Sequence, residues 1–170
     1  MQLESLLVQK KNVIMDEWFN LLVETYPAET GQFLKRQSDP FANPVGSTTR
    51  RGLDAVFDEL MTGMDHKALS AALDPIIRIR AIQNFTPSQA LAFVFLLKKA
   101  VRKKIQSAVD KHNLAGDLLS FESKIDQLAL FGFDIYMGCR EKIYQLMEKE
   151  VKNRALRAFE QEGLIHNKPA

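Results

Sequence analysis

The chain has 170 residues, 46% of them hydrophobic and 26% charged, with a formal net charge of +2. That length buries a core without disulfides or metals, the composition is that of an ordinary globular domain, and the near-neutral balance gives no argument for a nucleic-acid partner. Its single cysteine, Cys139, excludes an intramolecular disulfide and points to a reducing compartment.

The N-terminal MQLESLLVQKK places charge among its apolar residues and lacks the apolar run and small-residue cleavage site of a signal peptide. The longest apolar run, residues 90–97, has eight residues. A membrane-spanning helix needs roughly 20. The expected location is therefore the cytoplasm, without membrane insertion.

Leu3, Leu6, Leu7, Val13, Ile14, Trp18, Leu21, Leu22 and Tyr26 trace a stripe of helical period, which predicts a first helix over residues 2–26, stopped by Pro27. Trp18 reads as a core anchor on that stripe. A short helix over residues 28–37 carries Phe33 and Leu34. Residues 39–60, DPFANPVGSTTRRGLDAVFDEL, hold the densest local instruction. Pro40 and Pro44 push Asp39 and Asn43 toward extended backbone, Gly46 permits a turn, and Ser47, Thr48 or Thr49 can cap a helix start. Leu53, Val56, Phe57 and Leu60 then share one helical face. The reading is a rigid extended loop, structural rather than catalytic, feeding an amphipathic helix that ends near Gly63.

A short helix is expected next, started by Asp65 or the residues just after it and running through Ala68, Leu69, Ala72 and Leu73, and a new one is expected to begin at Asp74-Pro75. The segment IIRIRAIQNF alternates as a strand would, but nothing nearby pairs with it, so helix is the better reading. Thr86-Pro87-Ser88-Gln89 combines an N-cap, a first-turn proline and a capping-box glutamine. The helix it opens runs to about residue 111. Its first half, ALAFVFLL, is apolar nearly all round and is expected to be deeply buried. Its second half turns Val101, Ile105 and Ala108 inward.

The longest helical segment covers residues 117–162. Phe121, Ile125, Leu128, Gly132, Ile135 and Cys139 fall at alternating spacings of four and three, a seam for another helix, while Phe133, Met137 and Tyr144 make a second face. Gly132 and Gly138 cost helix stability and suggest close approach of a neighbour. Gly132, Phe133, Ile135, Gly138 and Cys139 form the candidate dimer seam. Gly163 reads as a stop and residues 164–170 as a mobile tail. The expected fold is all-α: one domain over residues 1–163, a bundle of about five to seven helices with a long C-terminal helix.

The residues offer little catalytic chemistry. His66, His112 and His166 sit in separate segments with no clustered ligand set, and no CxxC, CxxCH, HExxH or nucleophile-elbow motif occurs, so neither a metal nor a catalytic site is assigned. Lys98, Lys99, Arg102, Lys103, Lys104 and Lys111 make the most basic patch. No aromatic residues interleave with them to stack bases, so a solvated helix face is the reading, and no nucleic-acid partner is expected. Ser47, Thr48, Thr49, Arg50 and Arg51 make a weak candidate anion site beside the plainer reading of helix capping. Cys139, on the apolar seam, reads as a buried thiol.

FLKRQSDPFANPVGSTTRRGL (residues 33–53) and IIRIRAIQNFTPSQALAFVFLLKKAV (residues 76–101) carry a family resemblance. Together they resemble the N-terminal domain family of the stressosome co-antagonists, the RsbRD N-terminal type. The matching positions are Asp39, Pro40, Asn43, Pro44, Gly46, Arg78, Arg80, Phe85 and Pro87. The resemblance implies an all-helical, non-haem globin-like fold that serves as a sensory or regulatory input and forms homodimers. In the family this domain usually precedes a phosphorylatable STAS domain. The chain ends at Ala170 without room for one, which needs about 100 residues. The sensor fold is therefore what carries over, and a stand-alone member is expected to bind a separate signalling protein. The leading expectation is a non-enzymatic sensory domain that works through homodimerisation and partner binding, without a cofactor. The alternative is a haem- or redox-cofactor-binding sensor of globin-like fold, which a Soret band would reveal.

Overall fold

The computed structural model describes residues 2–36, 39–83 and 85–162. Among these residues there are six helices and no strands: α1 (Leu3–Val23), α2 (Ala28–Arg36), α3 (Pro44–Thr62), α4 (His66–Ile82), α5 (Pro87–His112) and α6 (Ala115–Gln161). The all-α bundle with a long final helix is thus the fold. Two compact units divide the chain, Met1–Tyr136 and Met137–Ala170. Gly163 and the tail expected over residues 164–170 lie outside the described residues, as does His166.

In the first unit α1 packs most extensively on α5, and α3 on α4. Trp18 joins α1 to α5 as the sequence stripe requires. Its side chain is fully buried, its ring stacks on Phe93, and its Nε1–H donates to Phe93 O at 2.6 Å. The α3–α4 contact depends on a glycine the sequence reading passed over. A Cβ on Gly52 would stand 2.7 Å from both Ala72 O and Ile76 Cδ1, so only glycine lets the two helices approach this closely. Leu53, Val56, Phe57 and Leu60 are buried on α3, as their spacing predicts.

Residues 39–46 fold differently from the extended loop the two prolines suggest. Asp39 Oδ1 accepts from Phe41 N–H at 3.0 Å and Asp39 O accepts from Asn43 N–H at 2.8 Å. This is a compact Asx-type turn, in which a short side chain substitutes for backbone pairing. Helix α3 begins at Pro44, and Asn43, not Ser47, Thr48 or Thr49, is its N-cap: Asn43 Oδ1 accepts from Gly46 N–H at 2.8 Å. Gly46 therefore lies in the first helical turn. Its freedom from a side chain matters for space, because a Cβ there would fall 2.3 Å from Asn43 Nδ2.

The Asp74-Pro75 break is also overturned. Helix α4 runs unbroken through Pro75, with Asp65 as its N-cap accepting from Ala68 N–H at 2.8 Å. Asp74 is engaged by the Arg78 guanidinium at 2.9–3.1 Å instead of capping a new helix. An interior proline costs about 3 kcal/mol. Burying Leu69, Leu73, Ile76 and Ile77 on one continuous face contributes about 1.5–3 kcal/mol each, so continuity wins. The IIRIRAI stretch is helical, as expected.

The start of α5 matches its motif fully, with both halves of the Thr86–Gln89 capping box formed. The run at residues 90–97 is less enclosed than its composition suggests: Ala90, Leu91, Phe93, Val94 and Leu97 are buried, but Phe95 is 48% exposed. Asn113, in the left-handed conformation with φ 55°, ends α5. On α6, Phe121, Ile125 and Leu128 are buried in the first unit. Within the described part of the second unit, α6 carries Met137, Tyr144, Met147 and Val151 exposed and Cys139 buried. No helix among the described residues is long and apolar enough to cross a membrane.

Candidate functional site

Arg80 is the most unusual side chain in the molecule. Leu69, Leu73 and Ile77 succeed one another by four residues on the buried face of α4, and Arg80 follows three residues later on that same face. It is fully buried. No carboxylate pairs with it among the described residues. The ring of Phe85 lies 4.3 Å from its guanidinium carbon, that of Tyr26 at 5.0 Å and that of Phe93 at 5.8 Å. These π faces offset part of the cost of removing a cation from water. Burial pushes the guanidinium below its ordinary value, and Tyr26 opposes that shift.

The hydrogen bonding of Arg80 is lopsided. Nη2 donates to Thr25 Oγ1 and to Gln89 O, both at 2.9 Å. Nε and Nη1 are buried with no partner among the described residues. Thr25 and Gln89 also line a pocket of about 430 Å³ open at the surface, together with Tyr26, Pro27, Thr30, Gln83 and Phe85. Three segments build it. Thr25 and Tyr26 follow the end of α1 and are fixed by N–H bonds to Leu22 O and Val23 O. Gln89 is held by the capping box of α5. Phe85 bonds back through its N–H to Arg80 O at 3.3 Å, stacks edge-on against Tyr26, and its carbonyl accepts from Tyr136 Oη at 2.7 Å.

The other sequence-derived candidates scatter. Asp39, Pro40, Asn43, Pro44 and Gly46 form the turn and cap at the start of α3, where buried Asn43 also donates through Nδ2 to Leu34 O at 3.1 Å. Of the family-pattern positions, Arg80 and Phe85 meet in the cage, Pro87 opens the helix that supplies Gln89, and Arg78 is exposed on α4 with Asp74. The proposed anion residues sit inside α3. Ser47 N–H is bonded to Asn43 O, Thr49 is buried, and Arg50 lies 3.7 Å above the Phe19 ring. The helix start that would face an anion is already capped by Asn43.

The basic face of α5 is largely paired. Lys98 meets Asp126, Lys103 and Lys104 meet Glu17, and Arg102 grips buried Glu122 through two bonds of 2.6 and 2.7 Å. Lys103 and Lys104 together hold the Glu17 carboxyl below the usual carboxylate range. His66 and His112 are both exposed, His66 edge-on to Phe131. Among the dimer-seam candidates, Gly132 is packed inside the first unit, where a Cβ would meet Leu91 Cδ2 at 3.2 Å and Ile77 Cδ1 at 3.4 Å. Gly138 has open space beside it. Phe133 is exposed, Ile135 half-buried and Cys139 buried.

No spacing in the sequence links Thr25, Tyr26 and Gln89, which converge on one cation only in the fold. The register of Arg80 with Leu73 and Ile77 was the available signal. Nor does spacing mark Phe41, 96% exposed at the tip of the turn, or the exposed Met147 and Val151.

The described residues define an all-helical domain. Residues 12–151 match the family model described as the RsbT co-antagonist protein rsbRD N-terminal domain. The chain belongs to that family, a regulatory input type associated with the stressosome. It is also similar to an uncharacterized protein of Archaeoglobus fulgidus, with 28% identity over 141 residues, spanning 81% of this chain and 82% of the relative. No solved structure matches it.

Proposed function

We propose that this protein is a non-enzymatic, cytoplasmic input domain that forms a twofold homodimer and relays its state to a separate signalling protein. The observation that carries the reading is the exposed apolar register of α6 in the second unit. Met137, Tyr144, Met147 and Val151 are 47%, 58%, 57% and 66% exposed, at successive spacings of seven, three and four. That is the period of one helix seeking another. Monomers rarely leave such a stripe in water, and a twofold contact would use the same stripe on both chains. Arg140 occupies the one position of the register between Met137 and Tyr144, donating to Tyr144 Oη at 2.8 Å, and gives the stripe a polar element of the kind that fixes pairing register.

Membership of the rsbRD N-terminal family supports the regulatory half of the proposal. The second contact, to a signalling protein, is assigned to the turn before α3, where Phe41 stands almost wholly in water. Light scattering coupled to size exclusion at micromolar concentration should give a mass near twice 19.3 kDa. Met147→Arg combined with Val151→Glu should yield a folded monomer. A wild-type monomer across that range, or a dimer that survives both substitutions, would overturn the assignment of this face.

A further inference from the structure

Among the described residues no carboxylate pairs with the Arg80 cage. A buried guanidinium carries five N–H donors; the two on Nη2 are spent on Thr25 Oγ1 and Gln89 O, and beyond these bonds the nearby Tyr26 side chain favours the charged form. Nε and Nη1 have no partner among the described residues. An unsatisfied buried donor is costly, and more so on a cation. Aromatic faces address the charge but accept few of the N–H bonds. The two groups that Nη2 does hold, on Thr25 and Gln89, both belong to residues that line the 430 Å³ pocket, so the cation is one bond removed from its wall.

That pocket has two kinds of wall. Tyr26, Pro27 and Phe85 present flat apolar surface, while Thr25, Thr30, Gln83 and Gln89 present hydroxyl and amide groups. We infer that it binds a small organic carboxylate, its apolar body between Tyr26, Pro27 and Phe85 and its carboxylate accepting from the Arg80 guanidinium. The carboxylate reaches the cation by taking the place of the Thr25 hydroxyl, which in the free protein accepts from Nη2 at 2.9 Å while donating to Leu22 O at 2.6 Å. An inorganic oxyanion would satisfy the donors but leave the apolar walls wet, which makes the organic acid the better fit. The site rests on the regulatory reading only for what the ligand signals. It lies wholly in the first unit and does not need the dimer.

The test is a 19F NMR titration of the full chain with 4-fluorobenzoate, with 4-fluorobenzamide and inorganic phosphate as comparison probes. The expected result is saturable binding with Kd below about 1 mM, at least about tenfold tighter than the amide and not displaced by equimolar phosphate. Arg80→Lys should weaken it at least about tenfold. Because Arg80 is a core residue, Thr30→Trp is the second variant: Thr30 is exposed at the pocket rim, and a bulky ring there should abolish binding while leaving the helical circular dichroism and the oligomeric mass unchanged. No saturable binding of 4-fluorobenzoate, equal binding of the amide, displacement by phosphate, or binding indifferent to Thr30→Trp would each overturn the inference.

Discussion

Gly46→Ala is a small change whose cost is set by one neighbour. The three atoms nearest to a Cβ at Gly46 are all in the Asn43 side chain, Nδ2 at 2.3 Å and Cγ and Oδ1 at 2.8 Å. That side chain cannot give way freely, because it is buried and makes two bonds, capping Gly46 N–H and donating to Leu34 O. Displacing it loses an N-cap, about 1 kcal/mol. It also leaves a buried carbonyl short of a donor, about 1–3 kcal/mol more. Alanine returns up to about 1 kcal/mol of helix propensity. The net expectation is a loss of about 1–3 kcal/mol. Asn43→Ala should lose the same two bonds, so in that background Gly46→Ala should be neutral or stabilising, by about 0.5 kcal/mol. Urea unfolding of the four proteins, at constant m, measures the cycle. Equal costs of Gly46→Ala in both backgrounds would refute the account, since the glycine would then be needed for something other than room for Asn43.

Two further expectations are independent of that cycle. Gly52→Ala should cost about 1–3 kcal/mol, because the 2.7 Å approach to Ala72 O is to backbone and α3 must move away from α4, whereas Gly138→Ala, with nothing within 4 Å, should be neutral or gain up to about 1 kcal/mol; thermal melts that rank the two the other way would contradict the packing described. Glu17 has its carboxyl held below its ordinary value near 4.5 by Lys103 and Lys104, so its contribution is present above that pH and is lost as pH falls through the lower, folded value; Glu17→Gln should therefore show a shallower loss of stability below about pH 4.5 than the wild type, and parallel acid limbs in urea titrations would count against it.

Helix boundaries were legible wherever a single residue type decides a local geometry. The Thr86–Gln89 box acts over three residues and is formed as its spacing requires, and the helix expected to start at Asp65 or just after it starts at His66 with Asp65 as its cap. Boundaries went wrong where a local signal competed with a distant one. Asp74-Pro75 is a good helix start in isolation, but Ile76 and Ile77 continue the face begun by Leu69 and Leu73, and burial of that face outweighs one lost backbone bond. In residues 39–49 the reading credited three hydroxyl residues with a cap that Asn43 supplies. The deciding fact was the Leu34 carbonyl, nine residues upstream in sequence, which fixes the Asn43 amide in place. The alternating heptad spacing on α6 pointed to two apolar faces. It did not say that Gly132 serves the inner one through Leu91 and Ile77 while Gly138 faces open space.

The candidate site was the least legible part, for a physical reason. Arginine is ordinarily at the surface, and an arginine in a sequence such as IIRIRAI reads as the polar side of an amphipathic helix. Arg78 and Arg80 stand two residues apart, about 200° around a helix, so they cannot both be on that side. The pattern of Leu69, Leu73 and Ile77 selects Arg80 as the buried one, and Arg78 duly reaches Asp74 in the open. What no spacing within α4 contains is the rest of the cage. Tyr26 arrives from the end of α1, Phe85 from the link after α4, and Phe93 from α5, and only their convergence makes a cation tolerable there. A core that served stability alone would be better filled by leucine or methionine, since replacing buried charge with apolar volume is commonly neutral or favourable. On that reasoning the guanidinium is expected to add nothing to stability, while it bonds two residues that line a pocket. Arg80→Met, which keeps the stem and removes the charge, separates the two roles: equal or higher stability by urea unfolding together with loss of 4-fluorobenzoate binding is the expected pair, and a destabilised variant that binds the acid as well as the wild type would make Arg80 a structural residue.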